Sequence, residues 1–309
     1  MVKKSDIPLV VILGPTASGK SSWGVELAIE YCGEIISADS RQVFKGLDIG
    51  SGKITKEEMK NVPHHLIDVC AAGLRFTVAQ YKVLADAVIE EIIKNGHVPF
   101  LVGGSALYVD VVVENYLIPD VDQDVNYRQL LERQSVGQLC HQLERVDPVL
   151  FSTIDTLNKR RLIRALEVFH LTGKPLSELK KKGTDVYEST VFGIDMPREQ
   201  LYDRIDARVD SRIKEGMIEE VEALLASGIS SEWLDTLGLE YRFISHYILK
   251  TDRSEPSKKE MIQRLKFAIH DFARRQLIWF RAKKNIIWCE KFDQMRHFLN
   301  SSKDFPKQT

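Results

Sequence analysis

Gly14-Pro15-Thr16-Ala17-Ser18-Gly19-Lys20-Ser21 has the spacing of a polyphosphate cradle, a glycine-bounded turn followed by a lysine and a hydroxyl. Glycines let the backbone turn tightly so that several N–H groups converge on phosphate oxygens. Lys20 adds a point charge, and the Ser21 hydroxyl can ligate Mg2+. Every residue from Gly14 to Ser21 is therefore predicted to bind a diphosphate or nucleotide. The bland alternative is a glycine turn joining a strand to a helix, and the loop itself does not say which polyphosphate it takes or what attacks it.

Other residues offer the chemistry that the loop lacks. Asp39, at the head of Asp39-Ser40-Arg41-Gln42, follows a short apolar run, and a carboxylate at the carboxyl end of a parallel strand stands where ligands collect. It can serve as a general base or hold the water shell of a metal; helix N-capping is an equal alternative. Gly103-Gly104-Ser105 ends the next apolar run where a nucleotide-hydrolysing enzyme would carry an acidic residue, which argues against a motor ATPase. Those glycines permit close approach of a ligand, and Ser105 could cap a helix or touch that ligand. Adjacent His64 and His65 would point opposite ways on a strand, so structural hydrogen bonding is preferred to metal ligation.

Arg204, Arg208 and Arg212 form a stripe beside the apolar Leu201, Ile205, Val209 and Ile213. The helical neighbours of Arg208 are Arg204, Ile205, Ser211 and Arg212, none of them acidic. Like charges at that spacing repel, so Arg208 is expected to face a bound phosphate, with a tertiary salt bridge as the alternative. Near the C-terminus, Lys266, His270, Arg274 and Arg281 run beside Trp279 and Trp288, a pattern that can hold nucleic acid but more often marks a core. Lys159-Arg160-Arg161 with Arg164 is a further basic patch, whereas Lys180 to Lys182 reads as a solvated face.

These residues need a scaffold. Apolar runs at Ile7 to Leu13, Glu34 to Ala38, Val98 to Val102, Val191 to Ile194 and Ile286 to Trp288 read as buried strands. They alternate with helical patterns such as Ser21 to Tyr31 and Val78 to Lys94, so the fold class is α/β: a P-loop-type parallel sheet flanked by helices. Between about residues 120 and 185 only helical periods remain (Tyr127 to Arg133, Val136 to Arg145, Asn158 to His170), which predicts a helical insertion domain. The expected organisation is a first part of the core over 1–118, the insertion over 119–188 and the rest of the core over 189–309. Lys250 to Lys259 and the tail after Ser301 read as a loop and a frayed end.

The chain has 309 residues, 44% of them hydrophobic, and 43 basic against 44 acidic side chains, so no global field points to nucleic acid. No apolar stretch is long enough to span a membrane, the N-terminus lacks a signal-peptide pattern, and the expected location is the cytoplasm. Cys32, Cys70, Cys140 and Cys289 stand far apart, which argues against zinc and a disulfide framework and for small buried hydrophobes.

Taken together the motifs resemble the tRNA dimethylallyltransferase (tRNA isopentenyltransferase) family. The likeness rests on Gly14 to Ser21, Asp39-Ser40 with Gln42, Gly46-Leu-Asp-Ile-Gly-Ser51, Pro63-His-His-Leu-Ile-Asp68, Val102-Gly-Gly-Ser-Ala-Leu-Tyr108, Arg161-Leu-Ile-Arg-Ala-Leu-Glu167, the Arg204 and Arg208 helix, and Ala273-Arg-Arg-Gln-Leu-Ile-Trp-Phe-Arg281. They run in family order over nearly the whole chain. The family commonly has Thr where this chain has Ser21 and Ser105, and a Gly-Tyr pair where it has Gly238-Leu239-Glu240-Tyr241-Arg242.

The resemblance implies transfer of a dimethylallyl group from dimethylallyl diphosphate to the exocyclic amine of the adenosine immediately 3′ of a tRNA anticodon. It implies Asp39 as general base, Arg208 as the catalytic arginine, and Mg2+ at Ser21. The tRNA contacts implied are Asp39, Ser40, Arg41, Gln42, Ser105, Arg128, Arg160, Arg161, Leu162, Ile163 and Arg164, with the insertion gripping the anticodon stem-loop. The expected partners are thus tRNA and dimethylallyl diphosphate, with no membrane, for a monomeric enzyme. A P-loop small-molecule or nucleoside kinase, and a nucleotide-switched RNA-binding module, remain the rival readings.

Overall fold

A computed structural model of the chain describes residues 8–117, 121–183 and 186–302; Ile7, the first residues of the chain and the tail from 303 lie outside the described residues, as does the side chain of Lys181. The chain divides into two compact units, one of Met1–Phe76, Tyr81–Val113 and Val186–Thr309, the other of Thr77–Gln80 and Glu114–Asp185.

The first unit is built on a sheet of β1 (Pro8–Leu13), β2 (Gly33–Ala38), β3 (His64–His65), β4 (Val98–Gly103), β7 (Glu188–Ile194) and β8 (Ile287–Cys289), ordered β3-β2-β4-β1-β7-β8. Every pairing is parallel. Parallel sheets need both faces covered, which is why β1, β2 and β4 read as unbroken apolar runs and are buried along almost their whole length. The helices of this unit are α1 (Lys20–Glu30), α2 (Lys56–Met59), α3 (Val78–Lys94, from Tyr81 on), α4 (Ala106–Val113), α10 (Arg198–Lys214), α11 (Met217–Ala226), α12 (Ser231–Leu237), α13 (Leu239–Ile248), α14 (Glu255–Arg281) and α15 (Phe292–Ser301). The core gathers Val10, Ile12, Leu27, Ile35, Phe100, Phe192, Met295 and Leu299.

Helix α14 starts at Glu255, so half of the polar run expected as a loop is helical. Its polar residues occupy the exposed side of an amphipathic helix whose buried face is Met261, Leu265, Ile269, Ala273, Gln276 and Phe280.

The second unit holds β5 (Tyr116–Leu117), α5 (Val125–Glu132), α6 (Val136–Val146), α7 (Pro148–Phe151), α8 (Lys159–Thr172), α9 (Leu176–Leu179) and β6 (Lys181–Lys182). Its core is Leu131, Leu139, Leu143, Leu162, Ile163, Ala165 and Leu166. Helix starts are set locally by Asp124, Ser135 and Asn158, each accepting a hydrogen bond from the backbone three residues on.

The insertion is not wholly helical: β5 and β6 pair antiparallel through Tyr116 with Lys182 and Leu117 with Lys181. Two-residue strands carry no period to read. Within the lysine run, Lys182 pairs with Glu114 at 2.8 Å and the Lys180 ammonium sits 4.8 Å from the Tyr116 ring centre.

Candidate active site

Strand register assembles the site. Leu13 pairs with Gly103, and Gly103 pairs with Ala38, so Gly14, Gly104 and Asp39 leave three adjacent strands together, at the carboxyl ends where open parallel sheets bind ligands. Gly103 makes that possible, since a Cβ there would lie 2.1 Å from the Ala38 carbonyl oxygen. The glycine pair allows close contact between strands and with Gln276, and both glycines also line the smaller cavity described below. Ser105 follows suit: its Oγ accepts the Ser40 N–H at 3.0 Å, and its own N–H bonds the Ala38 carbonyl at 3.1 Å.

The phosphate loop passes through left-handed conformations at Ala17 (φ +63°) and Gly19 (φ +92°), after which α1 begins at Lys20. Gly19 supplies no side-chain cap. The first-turn N–H groups of a helix lack intrahelical partners, so this end presents donors and a positive dipole to an anion. Gln276 reaches in from α14, its Oε1 accepting the Thr16 N–H at 3.0 Å while its Nε2 donates to the Gly104 carbonyl at 2.8 Å. The protein therefore occupies the Thr16 amide, and proline has no N–H to give at Pro15. The Pro15 carbonyl accepts from both the Ser18 N–H and the Lys20 ammonium at 3.3 Å. Ser18 is 1% exposed, and its Oγ lies where a Cβ on Gly14 would come within 2.4 Å; it packs the turn. Ala17, Gly19, Lys20 and Ser21 all line a cavity of about 760 Å³.

That cavity and a smaller one of about 60 Å³ share Lys20, Ser21, Gly52, Arg208 and Arg212. The smaller one also contains Asp39, Arg41, Gln42, Ser105, Phe272 and Gln276. A cation-rich chamber on the phosphate loop thus opens beside a carboxylate.

Asp39 caps no helix, because Ser40 to Val43 run as turns and Phe44 bridges to Cys70. Its Oδ1 accepts the Arg41 N–H at 2.9 Å, and among the described residues its Oδ2 has no hydrogen-bond partner. The Arg41 guanidinium is bound to buried Glu240 at 2.8 Å and lies 5.6 Å from the Phe272 ring centre, so within the free chain it is already engaged. Gln42 accepts from the Ser37 hydroxyl and donates to the Gly52 carbonyl at 3.0 Å, tying the Asp39 turn to the next loop. That loop is held in turn by Glu220 of α11, whose carboxylate accepts the N–H groups of Asp48, Ile49 and Gly50 and the Tyr241 hydroxyl.

Cations outnumber acids here, and their ionisation records it. Burial, then the charge of Arg208, lowers Lys20 to about 8; burial, then Arg212, lowers Arg208 to about 10. Burial also lowers Arg212, whereas Glu240 and Asp39 outweigh the burial of Arg41 and raise it. Among the described residues Arg208 makes neither an ion pair nor a hydrogen bond, so the salt-bridge alternative finds no partner. Arg204 donates instead to the Ser18 carbonyl at 3.4 Å.

A testable pH effect follows from Lys20. Between about pH 8 and its unfolded value of 10.5 the folded apo chain binds fewer protons at Lys20 than the unfolded chain, so this group's contribution to stability rises with pH across that window. An anion that needs the ammonium must restore the proton. Diphosphate affinity is expected to fall above about pH 8, and binding should take up close to one proton per site at higher pH, read by calorimetry in buffers of different ionisation enthalpy. Lys20→Arg should abolish the uptake, because arginine stays charged.

In the second unit Arg128 and Arg164 both clamp the fully buried Glu167, at 2.8 and 2.7 Å, which lowers that carboxyl against the pull of burial. Arg160 and Arg161 are exposed. Leu162 and Ile163 are 0% and 4% exposed in the unit's core, so their side chains hold the helix in place.

The C-terminal basic stripe is largely spent inside the first unit. Lys266 pairs with Asp210 and His270 with Asp206, each at 2.8 Å, and His270 stacks on Tyr202 with ring centres 4.0 Å apart, locking α14 to α10. Half-buried Trp279 packs edge-on against Phe280 and carries Lys283 over its ring. His65 bonds Glu34 and His64 bonds the Val62 carbonyl, the structural role expected. Only Cys289 of the four thiols is fully buried; the other three are half-buried. Gln276, Glu220, Glu240 and Arg212 are site residues that sequence reasoning did not single out as functional.

Among the described residues no cluster of three His, Cys, Asp or Glu could hold a metal by itself, and no helix is long and apolar enough to cross a membrane. The Ser21 hydroxyl lines both cavities, a donor set suited to Mg2+ that arrives on phosphate oxygens and keeps its waters.

Comparison with known proteins selects among the readings that the cradle leaves open. The family model for IPP transferase matches residues 42–283. The tRNA dimethylallyltransferase of Anoxybacillus flavithermus is 40% identical over 290 residues, covering 92% of this chain and 91% of that protein. The crystal structure of the full-length tRNA isopentenylpyrophosphate transferase from Bacillus halodurans is 38% identical, covers 95% of each chain and superposes with a TM-score of 0.69. A eukaryotic dimethylallyltransferase described as acting on tRNA shares the fold, at 22% identity and a TM-score of 0.76, over 98% of this chain and 81% of that one. These likenesses support a transferase and not a kinase, and the chain belongs to the IPP transferase family, the tRNA dimethylallyltransferases.

Proposed function

We propose that the chain transfers a dimethylallyl group from dimethylallyl diphosphate to the exocyclic amine of the adenosine immediately 3′ of the anticodon in tRNA, releasing diphosphate. The observation that carries this reading is the junction of the two cavities at Lys20, Ser21, Gly52, Arg208 and Arg212, beside Asp39. The diphosphate would lie on the loop donors and the cations, its allylic carbon directed toward the small cavity.

An adenine amine is a weak nucleophile because its lone pair is delocalised into the ring. Asp39 would accept its proton at Oδ2, since Oδ1 is anchored on the Arg41 N–H and fixes the carboxylate's direction. The amine nitrogen forms its bond to the allylic carbon as the C–O bond breaks, and the electron pair leaves with diphosphate. Lys20, the loop N–H groups and Arg208 stabilise that growing charge. Ser21 would hold Mg2+, which supplies further charge neutralisation on the leaving diphosphate.

The base must leave the anticodon-loop stack to reach Asp39. Gln42 and Ser105 at the small cavity, exposed Ser40 beside Ser105, and Arg128, Arg160, Arg161 and Arg164 of the second unit are assigned to gripping the RNA. Leu162 and Ile163 serve that grip by holding α8 in the core. A tRNA substrate fits a cytoplasmic location.

Incubation with labelled dimethylallyl diphosphate and bulk tRNA tests the reading. Label should enter tRNA in proportion to enzyme, without ATP. ATP consumption with unlabelled tRNA would instead establish a kinase.

A further inference from the structure

Arg208 and Arg212 stand one helical turn apart on α10, and both guanidinium groups lie against the backbone of Gly52. A Cβ at Gly52 would come within 2.3 Å of Arg208 Nη2 and 1.6 Å of Arg212 Nη2, so a side chain there would displace both guanidinium groups, and φ at +64° favours glycine as well. Like charges at this spacing repel, and here burial adds to the cost. A structural arginine in such a position would be expected to own a carboxylate. Arg212, whose side chain is 12% exposed, has Glu240 only at 4.0 Å, because the same carboxylate binds Arg41 at 2.8 Å. The acid three residues along its own helix, Glu215, accepts instead from the Ser211 hydroxyl at 2.5 Å.

The charges around the small cavity make the imbalance plain. Lys20, Arg41, Arg208 and Arg212 face only Asp39 and Glu240. The missing charge is that of a dianion or more. Arg212 lines the larger cavity together with Lys20, Ser21 and Arg208, within the same chamber as the loop donors.

We infer that Arg212 is a second diphosphate-binding arginine, acting beside Arg208, so that Gly52 backs a paired guanidinium clamp on the leaving diphosphate and Glu240 holds Arg212 only while the site is empty. The inference rests on the transferase reading for the identity of the diphosphate. Two adjacent planar forks can each engage phosphate oxygens, which a single arginine and a lysine cannot do at both phosphorus centres.

The test is calorimetric binding of inorganic pyrophosphate to the full chain and to Arg212→Met and Arg212→Lys, with thermal melting and steady-state kinetics alongside. Arg212→Met should weaken pyrophosphate by about 10- to 100-fold, as loss of a charge-assisted contact does, and raise KM for dimethylallyl diphosphate while leaving KM for tRNA in place. Arg212→Lys, which keeps the charge and most of the volume, should recover part of the affinity and guards against a methionine variant that fails to fold. Pyrophosphate affinity within about twofold of the parent in both folded variants, or a lowered melting temperature as the sole effect, would overturn the inference. If instead the parent chain binds pyrophosphate through Arg212 but transfers no label to tRNA, the clamp stands and the transferase reading falls.

Discussion

Replacing Asp39 with asparagine is expected to lower kcat by about 10²- to 10⁴-fold, the range that a positioned base supplies, and to leave tRNA affinity nearly unchanged. The two effects separate because the carboxylate's two oxygens do different work. Oδ1 builds the turn by accepting the Arg41 N–H, a bond that an asparagine carbonyl can also accept. Oδ2 has no partner among the described residues and is the atom offered to the substrate amine; an amide nitrogen there cannot take a proton. The turn, and with it the positions of Ser40, Arg41 and Gln42, should survive, so circular dichroism and tRNA binding serve as controls on the loss of turnover. Each tenfold loss corresponds to about 1.4 kcal/mol of transition-state stabilisation, so the expected effect is several kcal/mol from one atom's change. Unaltered turnover would remove Asp39 from proton transfer and leave it the turn alone.

How far the sequence could be read depends on the reach of each interaction. Strands β1, β2 and β4 were legible because a sheet buried on both faces leaves unbroken apolar runs, and the loop Gly14 to Ser21 was legible because its chemistry needs a contiguous set of residue types. The first residues of α14, Glu255 to Lys259, read as loop because each is polar or proline and shows no apolar period. Contacts over long sequence separation leave no local trace: nothing near Gln276 announces Thr16 and Gly104, and nothing near Glu220 announces the N–H groups of Asp48 to Gly50. Arg208 could be picked out because no acid stands three or four positions from it, where a helical neighbour would face it. Arg212 escaped the same argument because Glu215 offers a local partner, which the fold gives to Ser211. For Lys266 and His270 the failure ran the other way: their acids, Asp210 and Asp206, lie on another helix, so a paired stripe looked free.

Arg208→Ala should cost about 10²- to 10³-fold in kcat, as removal of one preorganised donor from a developing anion does, together with weaker binding of dimethylallyl diphosphate. The arginine's burial and its like-charged neighbours lower it to about 10 in the empty site, so the free protein holds this charge at a cost. Bound diphosphate relieves that cost, and the gain is greatest when the C–O bond is breaking and the leaving oxygens carry most charge. Stability provides the discriminating measurement. A side chain that anchored the fold through a tertiary salt bridge would lower the melting temperature when removed. An unpaired, partly desolvated guanidinium should not, and Arg208→Ala is expected to melt no earlier than the parent in the absence of ligand and to lose most of the stabilisation that added pyrophosphate gives the parent. Arg208→Lys should restore part of the diphosphate affinity but little of the rate, since an ammonium returns the charge without the planar fork that spans two leaving-group oxygens. A variant that melts markedly earlier yet keeps the parent's kcat would assign Arg208 to architecture and leave Lys20 and the loop amides as the sole stabilisers of the leaving group.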